Sequence, residues 1–272
     1  MTATLEERAD AYRTRPRSVS QVKQYEQCPY GFYLARIARE PELQAAWLAQ
    51  GVAVHAAAEE WERSGRTMSV DQAQAVYGGV YTRMANQALE AEPGEDGWQA
   101  SGPYLGFTDL ERRWHLGREQ VAKYVAWYEK HPDETVWKAA DGVPAIEQRF
   151  DIEVDGVKVI GYIDQVIEHP KRGPVVRDIK TGVLPAMADT FQLDTYALAL
   201  KQAHGLECET GDYWSGKTGA PSRARKLGGT AEVVNRVKEM DEGVKRGDFT
   251  PKPSPESCAR CPVRRSCRFA SA

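Results

Sequence analysis

The spacing of apolar residues changes character partway along this chain. From Trp47 to about Tyr128 they recur every three or four positions, in Ala-rich stretches such as GVAVHAAAEEWERSG and LGREQVAKYVAWYEK. That is the period of amphipathic helices. The intervening EAEPGEDGWQASGP is rich in turn-forming residues and reads as a loop between helices. After Pro132 the period drops to two. IEQRFDIEVDGVKVIGYIDQVIEH alternates apolar and polar residues, with Asp155-Gly156 as a hairpin turn. PKRGP marks a second turn and VVRDIKTG the next strand. Asp189 to His204 then reads as a helix, TGDYWS as a short strand, and about Ala231 to Arg246 as a last helix before the proline-rich FTPKPSPESC.

Ahead of the helical region, SVSQVKQY places Ser18 and Gln21 at capping-box spacing. Pro29 interrupts directly after Cys28 and suits the first turn of a new helix through FYLARIA. Helices, then a hairpin-rich sheet, then a further helix and strand predict one α/β domain with an α-helical insertion. The expected organisation is a single domain over 1–272. It is built from N-terminal helices (18–46), a helical insertion (47–135), an α/β core (136–228) and a C-terminal helix with a cysteine cluster (229–272).

Composition changes this picture little. At 42% hydrophobic and 28% charged the chain is ordinary for a soluble globular protein, and a net charge of −3 does not advertise a nucleic-acid binder. Its apolar runs are too short to span a bilayer, and MTATLEERADAYRTRPR lacks a signal-like apolar segment. The expectation is a cytoplasmic protein without a membrane partner. Charge is unevenly spread, however. KTGAPSRARK (217–226) and the tail arginines Arg260, Arg264, Arg265 and Arg268 form basic strips of the kind that track a phosphate backbone. Solvated surface charge explains either strip taken alone.

Cysteine usage is more informative. The chain has five cysteines, and three stand as Cys258-x2-Cys261-x5-Cys267. In a reducing compartment such clustering points to a metal or cluster rather than to disulfides. Three thiolates are one short of a closed zinc or iron–sulfur site, and Cys28 and Cys208 are the candidates for the fourth.

The densest chemistry lies in GYIDQV and DIKTG. Asp164 falls in one predicted strand, and Asp178 and Lys180 in the next, on one face because side chains alternate. The PKRGP turn folds the two strands together, so Asp164 can meet Asp178. Two carboxylates and an ammonium on one sheet face suit Mg²⁺ or Mn²⁺ and phosphodiester hydrolysis. Alone, D-x-K is an ordinary hairpin ion pair; the surroundings give it weight. Gly211 to Thr218, GDYWSGKT, matches the phosphate-loop pattern, but Asp, Tyr and Trp read as strand residues and no helix pattern follows Lys217. No nucleotide is expected there.

Four segments together resemble the RecB-like branch of the PD-(D/E)XK nucleases. They are SVSQVKQYEQCPYGFYL, GVAVHAAAE, IEQRF…GYIDQV…DIKTG and QLDTY. The resemblance implies a restriction-endonuclease-like core, a central mixed sheet flanked by helices, and a metal-dependent DNA exonuclease acting on single strands or ends. It implies metal ligation by His55, Asp164, Asp178 and the Ile179 carbonyl, action of Lys180 on the attacking water, and Glu147 on the preceding strand. Gln192 and Tyr196 would contact DNA or brace the site; Ser18 and Ser20 would cap a helix and secondarily contact phosphate. AddB, CRISPR-adaptation exonucleases and the exonuclease V family carry C…C-x2-C-x5-C around a [4Fe–4S] cluster. This implies Cys28, Cys258, Cys261 and Cys267 as its ligands, and a recombination or CRISPR-adaptation partner. The alternative is a non-catalytic, zinc-stapled DNA-binding or scaffold subunit.

Overall fold

The structure, a computed structural model, describes residues 4–271; residues 1–3 of the opening stretch and residue 272 lie outside it. The described residues form two compact units, one of residues 4–43, 150–161 and 229–271, the other of residues 44–149 and 162–228.

The larger unit begins with three helices, α4 (Ala46–Arg63), α5 (Val70–Ala91) and α6 (Gly106–Lys130). α4 approaches its neighbours through small residues, Ala49, Ala53, Ala57 and Ala58, with Trp61 closing the end. Ser69 and Gln72 cap α5 reciprocally, satisfying amides that the first turn leaves unpaired. Gly117 of α6 exists to admit Tyr77, since any side chain there would overlap that ring.

The sheet follows in the order β1 (Thr135–Val136), β3 (Val157–His169), β4 (Gly173–Lys180), β5 (Thr210–Ser215) and β6 (Ala220–Pro221). β2 (Ile146–Val154) pairs with β3, and β7 (Arg225–Lys226) with β5. β3 and β4 are antiparallel with Gln165 opposite Arg177, so one step further along the same register brings Asp164 opposite Asp178. β4 and β5 are parallel, and α7 (Phe191–His204) makes the crossover that parallel pairing requires. Ile167, Ile179 and Trp214 join the α4–α6 core. Asp178 and Lys180 face the other way, toward α7. The architecture is a mixed sheet flanked by helices.

Beneath the α6 side of the sheet, Arg177 is fully buried. Its guanidinium donates to both Asp212 oxygens (2.7 and 3.0 Å), to Glu134 Oε2 (2.6 Å) and to Tyr128 Oη (3.1 Å). A buried cation survives only when it is paired in this way.

The smaller unit holds α1 (Leu5–Arg13), α2 (Val19–Gln27), α3 (Pro29–Tyr33), α8 (Thr230–Arg246) and α9 (Pro255–Ala259), with the distal half of the β2–β3 hairpin. Its core gathers Tyr12, Val22, Tyr25, Phe32, Val237 and Met240. Buried Arg17 ties it together, pairing with Asp241 at 2.8 Å while its backbone bridges to the 158–160 strand. The FYLARIA helix is not uniform. After α3 it widens into a π-helical turn over Leu34–Ala38, closed by Arg39 in the left-handed region. Among the described residues no helix is long and apolar enough to cross a membrane.

Candidate active site

Four elements of the larger unit aim polar side chains at one point. His55 projects from α4, Glu147 from the start of β2, Asp164 from β3, and Asp178 and Lys180 from the end of β4. His55 Nε2 donates to the Ile179 carbonyl at 3.0 Å, while Nδ1 lies 3.3 Å from Glu147 Oε1 and 3.5 Å from Asp164 Oδ2. Ligand atoms of His55, Glu147 and Asp164 all fall within 4.8 Å of one another. Glu147 reaches this position from a backbone φ of 45°, in the left-handed region. A glutamate there is uncommon and costs about 1 kcal/mol or more, which is the kind of strain that accumulates at functional sites.

The electrostatics follow from crowding. Burial disfavours the His55 imidazolium, but Asp164, Glu147 and Asp178 outweigh it and raise its pKa to about 9. Burial and the neighbouring Asp178 charge push Asp164 up, against the pull of His55. His55 therefore carries a proton on each nitrogen and acts as the local cation among three carboxylates. A divalent ion answers the same charge demand. One imidazole nitrogen, the carboxylates of Glu147, Asp164 and Asp178, and the Ile179 carbonyl make an oxygen-dominated donor set that fits Mg²⁺ or Mn²⁺.

Beside this cluster runs a second network. Lys180 Nζ lies 2.6 Å from Asp178 Oδ2 and donates to Gln192 Oε1 at 3.2 Å. Gln192 Nε2 donates in turn to Asp178 Oδ1 at 2.6 Å and to Tyr196 Oη at 2.9 Å. Burial lowers the Lys180 pKa, but Asp178 more than reverses it, so the side chain is held as an ammonium. Burial, then Asp178, raises Tyr196 well above the ordinary phenol range and keeps its hydroxyl neutral. Gln192 and Tyr196 thus meet Asp178 and Lys180 directly. The structure adds one residue that the sequence reading did not single out. Tyr162, two positions before Asp164 on the same strand face, is 56% exposed. Its signal was the aromatic in GYID, masked by the strand alternation around it.

Ser18 and Ser20 lie in the smaller unit. Ser18 caps α2 by accepting from the Gln21 amide at 3.4 Å; Ser20 makes no cap and instead meets Ser18 Oγ at 3.1 Å. The phosphate-loop look-alike is resolved as strand: residues 210–215 form β5, with Tyr213 and Trp214 buried, and a turn rather than a helix carries Lys217.

The cysteines separate into four and one. Cys28, Cys258, Cys261 and Cys267 line one cleft of the smaller unit. Burial raises the Cys261 thiol, and the other three sulfurs add to that rise. Cys28 Sγ accepts from the amides of Gly31 (3.4 Å) and Lys252 (3.5 Å). A Cβ on Gly31 would lie 3.7 Å from the sulfurs of both Cys28 and Cys261, so glycine leaves the space between them open. Cys208 is buried in the larger unit, its thiol pushed up to about 12 mainly by burial. Four converging thiols fit a zinc ion or a cubane cluster by donor type.

Known proteins resemble this chain over most of its length. The chain is 41% identical over 263 residues to the "Gene 69 protein" of Mycobacterium phage D29, covering 92% of this chain and 96% of that one. It is 38% identical over 281 residues to the "Gene 69 protein" of Mycobacterium phage L5, covering 92% and 95%. A solved structure described as "Crystal structure of SSO0001" is 16% identical, with a TM-score of 0.33 over 60% of this chain and 79% of that one. The family model of the PD-(D/E)XK nuclease superfamily matches residues 16–268, and with that span the chain belongs to this superfamily.

Proposed function

We propose that this protein is a Mg²⁺- or Mn²⁺-dependent DNA exonuclease of the RecB-like branch, acting on single strands or strand ends. The observation that carries the reading is the convergence of His55, Glu147, Asp164, Asp178 and the Ile179 carbonyl beside Lys180. A bound divalent ion would supply charge neutralisation at the scissile phosphate and lower the pKa of its water. The chain's own residues do the rest. Lys180, held as an ammonium by Asp178, donates toward an incoming hydroxide or phosphate oxygen and orients it. Gln192 fixes the Lys180–Asp178 pair, and the neutral Tyr196 hydroxyl fixes Gln192. Exposed Tyr162 offers an aromatic face on the strand that carries Asp164; bases stack on such faces when single-stranded, which supports the single-strand preference.

We also propose that Cys28, Cys258, Cys261 and Cys267 hold a [4Fe–4S] cluster in a structural role. Support comes from the shared cleft and the C…C-x2-C-x5-C spacing. The phage origin of the two relatives supports a place in phage recombination. Digestion of single-stranded DNA labelled at either end, with Mg²⁺ or Mn²⁺ and with chelator, tests the activity. Metal-dependent loss of terminal label is expected; intact DNA with every metal would favour the scaffold alternative. Iron and sulfide analysis of anaerobically purified protein tests the cluster, and stoichiometric zinc without iron would overturn it.

A further inference from the structure

A second polar site lies in the smaller unit, among residues no part of the nuclease reading uses. Arg8, Arg15, Arg36 and Arg39, with Tyr12 and Glu7, line a cleft of ≈ 530 Å³ between α1 and the π-helical turn. Four guanidiniums share this space with one carboxylate, and Glu7 is already engaged at the Thr4 amide (2.7 Å) in the α1 capping box. Among the described residues none of the four arginines forms an ion pair with an acid. Arg8 spends one nitrogen on the Ala38 carbonyl (2.7 Å), and Arg36 donates to the neutral Gln24 side chain (2.8 Å). Like charges so gathered repel one another unless an anion sits among them.

The buried wall points the same way. Arg8 Nε and Tyr12 Oη are both buried without any hydrogen-bond partner, and Tyr12 is only 4% exposed. Leaving a buried donor unmade is costly, so two in one cleft mark the place where a ligand's acceptors belong. Arg39 sits at φ 59°, where glycine is easier, yet the position keeps its guanidinium on the cleft rim. Several planar, multi-donor cations lining one cleft with a tyrosine match the tetrahedral oxygens of phosphate.

We propose that this cleft binds phosphate groups of a nucleic-acid backbone, a sequence-independent grip separate in the chain from the hydrolytic residues. That the phosphate belongs to a nucleic-acid strand rests on the nuclease reading; that the cleft takes phosphate rests on the arginines and the two orphaned donors. The test is fluorescence anisotropy with a labelled single-stranded oligonucleotide in chelator, across a range of NaCl concentrations. Arg15 and Arg39 are exposed, so Arg15→Ala/Arg39→Ala should melt as the wild type does. It should bind about tenfold or more weakly, with a log-affinity against log-salt slope shallower by about 1.4, the value for two lost phosphate contacts on a single strand. Tyr12→Phe, which deletes only the hydroxyl, should weaken binding several-fold. Unchanged affinity and slope in these variants would overturn the proposal. Inorganic phosphate and pyrophosphate serve as competitors: arginine-dependent binding of these alone, with oligonucleotide binding unaffected, would also overturn it. Wild-type cleavage in Mg²⁺ is scored in parallel. Failure of the nuclease reading appears there, whereas failure of this inference appears only in the variants' binding.

Discussion

At the scale of single residues, the candidate active site is a problem of too much negative charge in too little water. Three carboxylates approach one another, and His55 answers them by holding a proton that free imidazole would release near neutrality. A divalent ion must displace that proton, so metal affinity should rise with pH up to about 9, with proton release on binding. Calorimetry in buffers of different ionisation enthalpy measures this; binding independent of pH would contradict it. The metal-free fold shows the linked effect. Because the folded His55 pKa lies above its unfolded value, its stabilisation is complete below about pH 6.5 and is lost as pH rises through about 9. Added metal should therefore raise the melting temperature more at alkaline than at mildly acid pH. Asp164, Asp178 and Lys180 were legible in sequence, since alternation and one tight turn determine their meeting. The Glu147 contact was less so: a glutamate with positive φ carries no glycine or asparagine to announce it.

Among elements, the β3–β4 hairpin and α7 do the positioning. The hairpin register sets Asp164 against Asp178, and the i, i+4 spacing on α7 sets Gln192 beside Tyr196, both readable from the chain. Tyr196→Phe removes only the hydroxyl that accepts from Gln192. It should lower kcat about tenfold while leaving metal affinity unchanged, as a residue acting through another does; loss of metal binding instead would place Tyr196 in the metal site. On the opposite face of β4, Arg177 anchors the same strand from below. Arg177→Ala leaves Asp212 and Glu134 buried without their cation and should cost about 3–5 kcal/mol in denaturant unfolding. A loss below about 1 kcal/mol would show that the strand does not depend on this network. The sequence concealed this network, because RDIK reads as one exposed and one buried face when both are buried. Likewise β6 and β7, two residues each, are too short for any period to register.

For the whole molecule, the change of apolar spacing from helical to alternating carried the α/β architecture. Residue chemistry left Cys28 and Cys208 as candidates for the fourth thiolate and the family resemblance pointed to Cys28; in the folded chain Cys28 lines the same cleft as the three tail cysteines. On the cluster proposal, Cys261→Ser should lose visible colour, melt lower and bind DNA less tightly, while Cys208→Ser keeps its colour. Unchanged melting and full activity in Cys261→Ser would remove the structural role. The central claim is that the Asp164–Asp178–Lys180 face hydrolyses DNA. Its most direct test is digestion of end-labelled single-stranded DNA by wild type and Lys180→Ala, with both proteins confirmed folded by their melting curves. The account expects rapid wild-type cleavage with Mg²⁺ or Mn²⁺, none with chelator, and a loss of about 10³-fold or more in Lys180→Ala. Equal cleavage by the two proteins, or cleavage that persists in chelator, would contradict it.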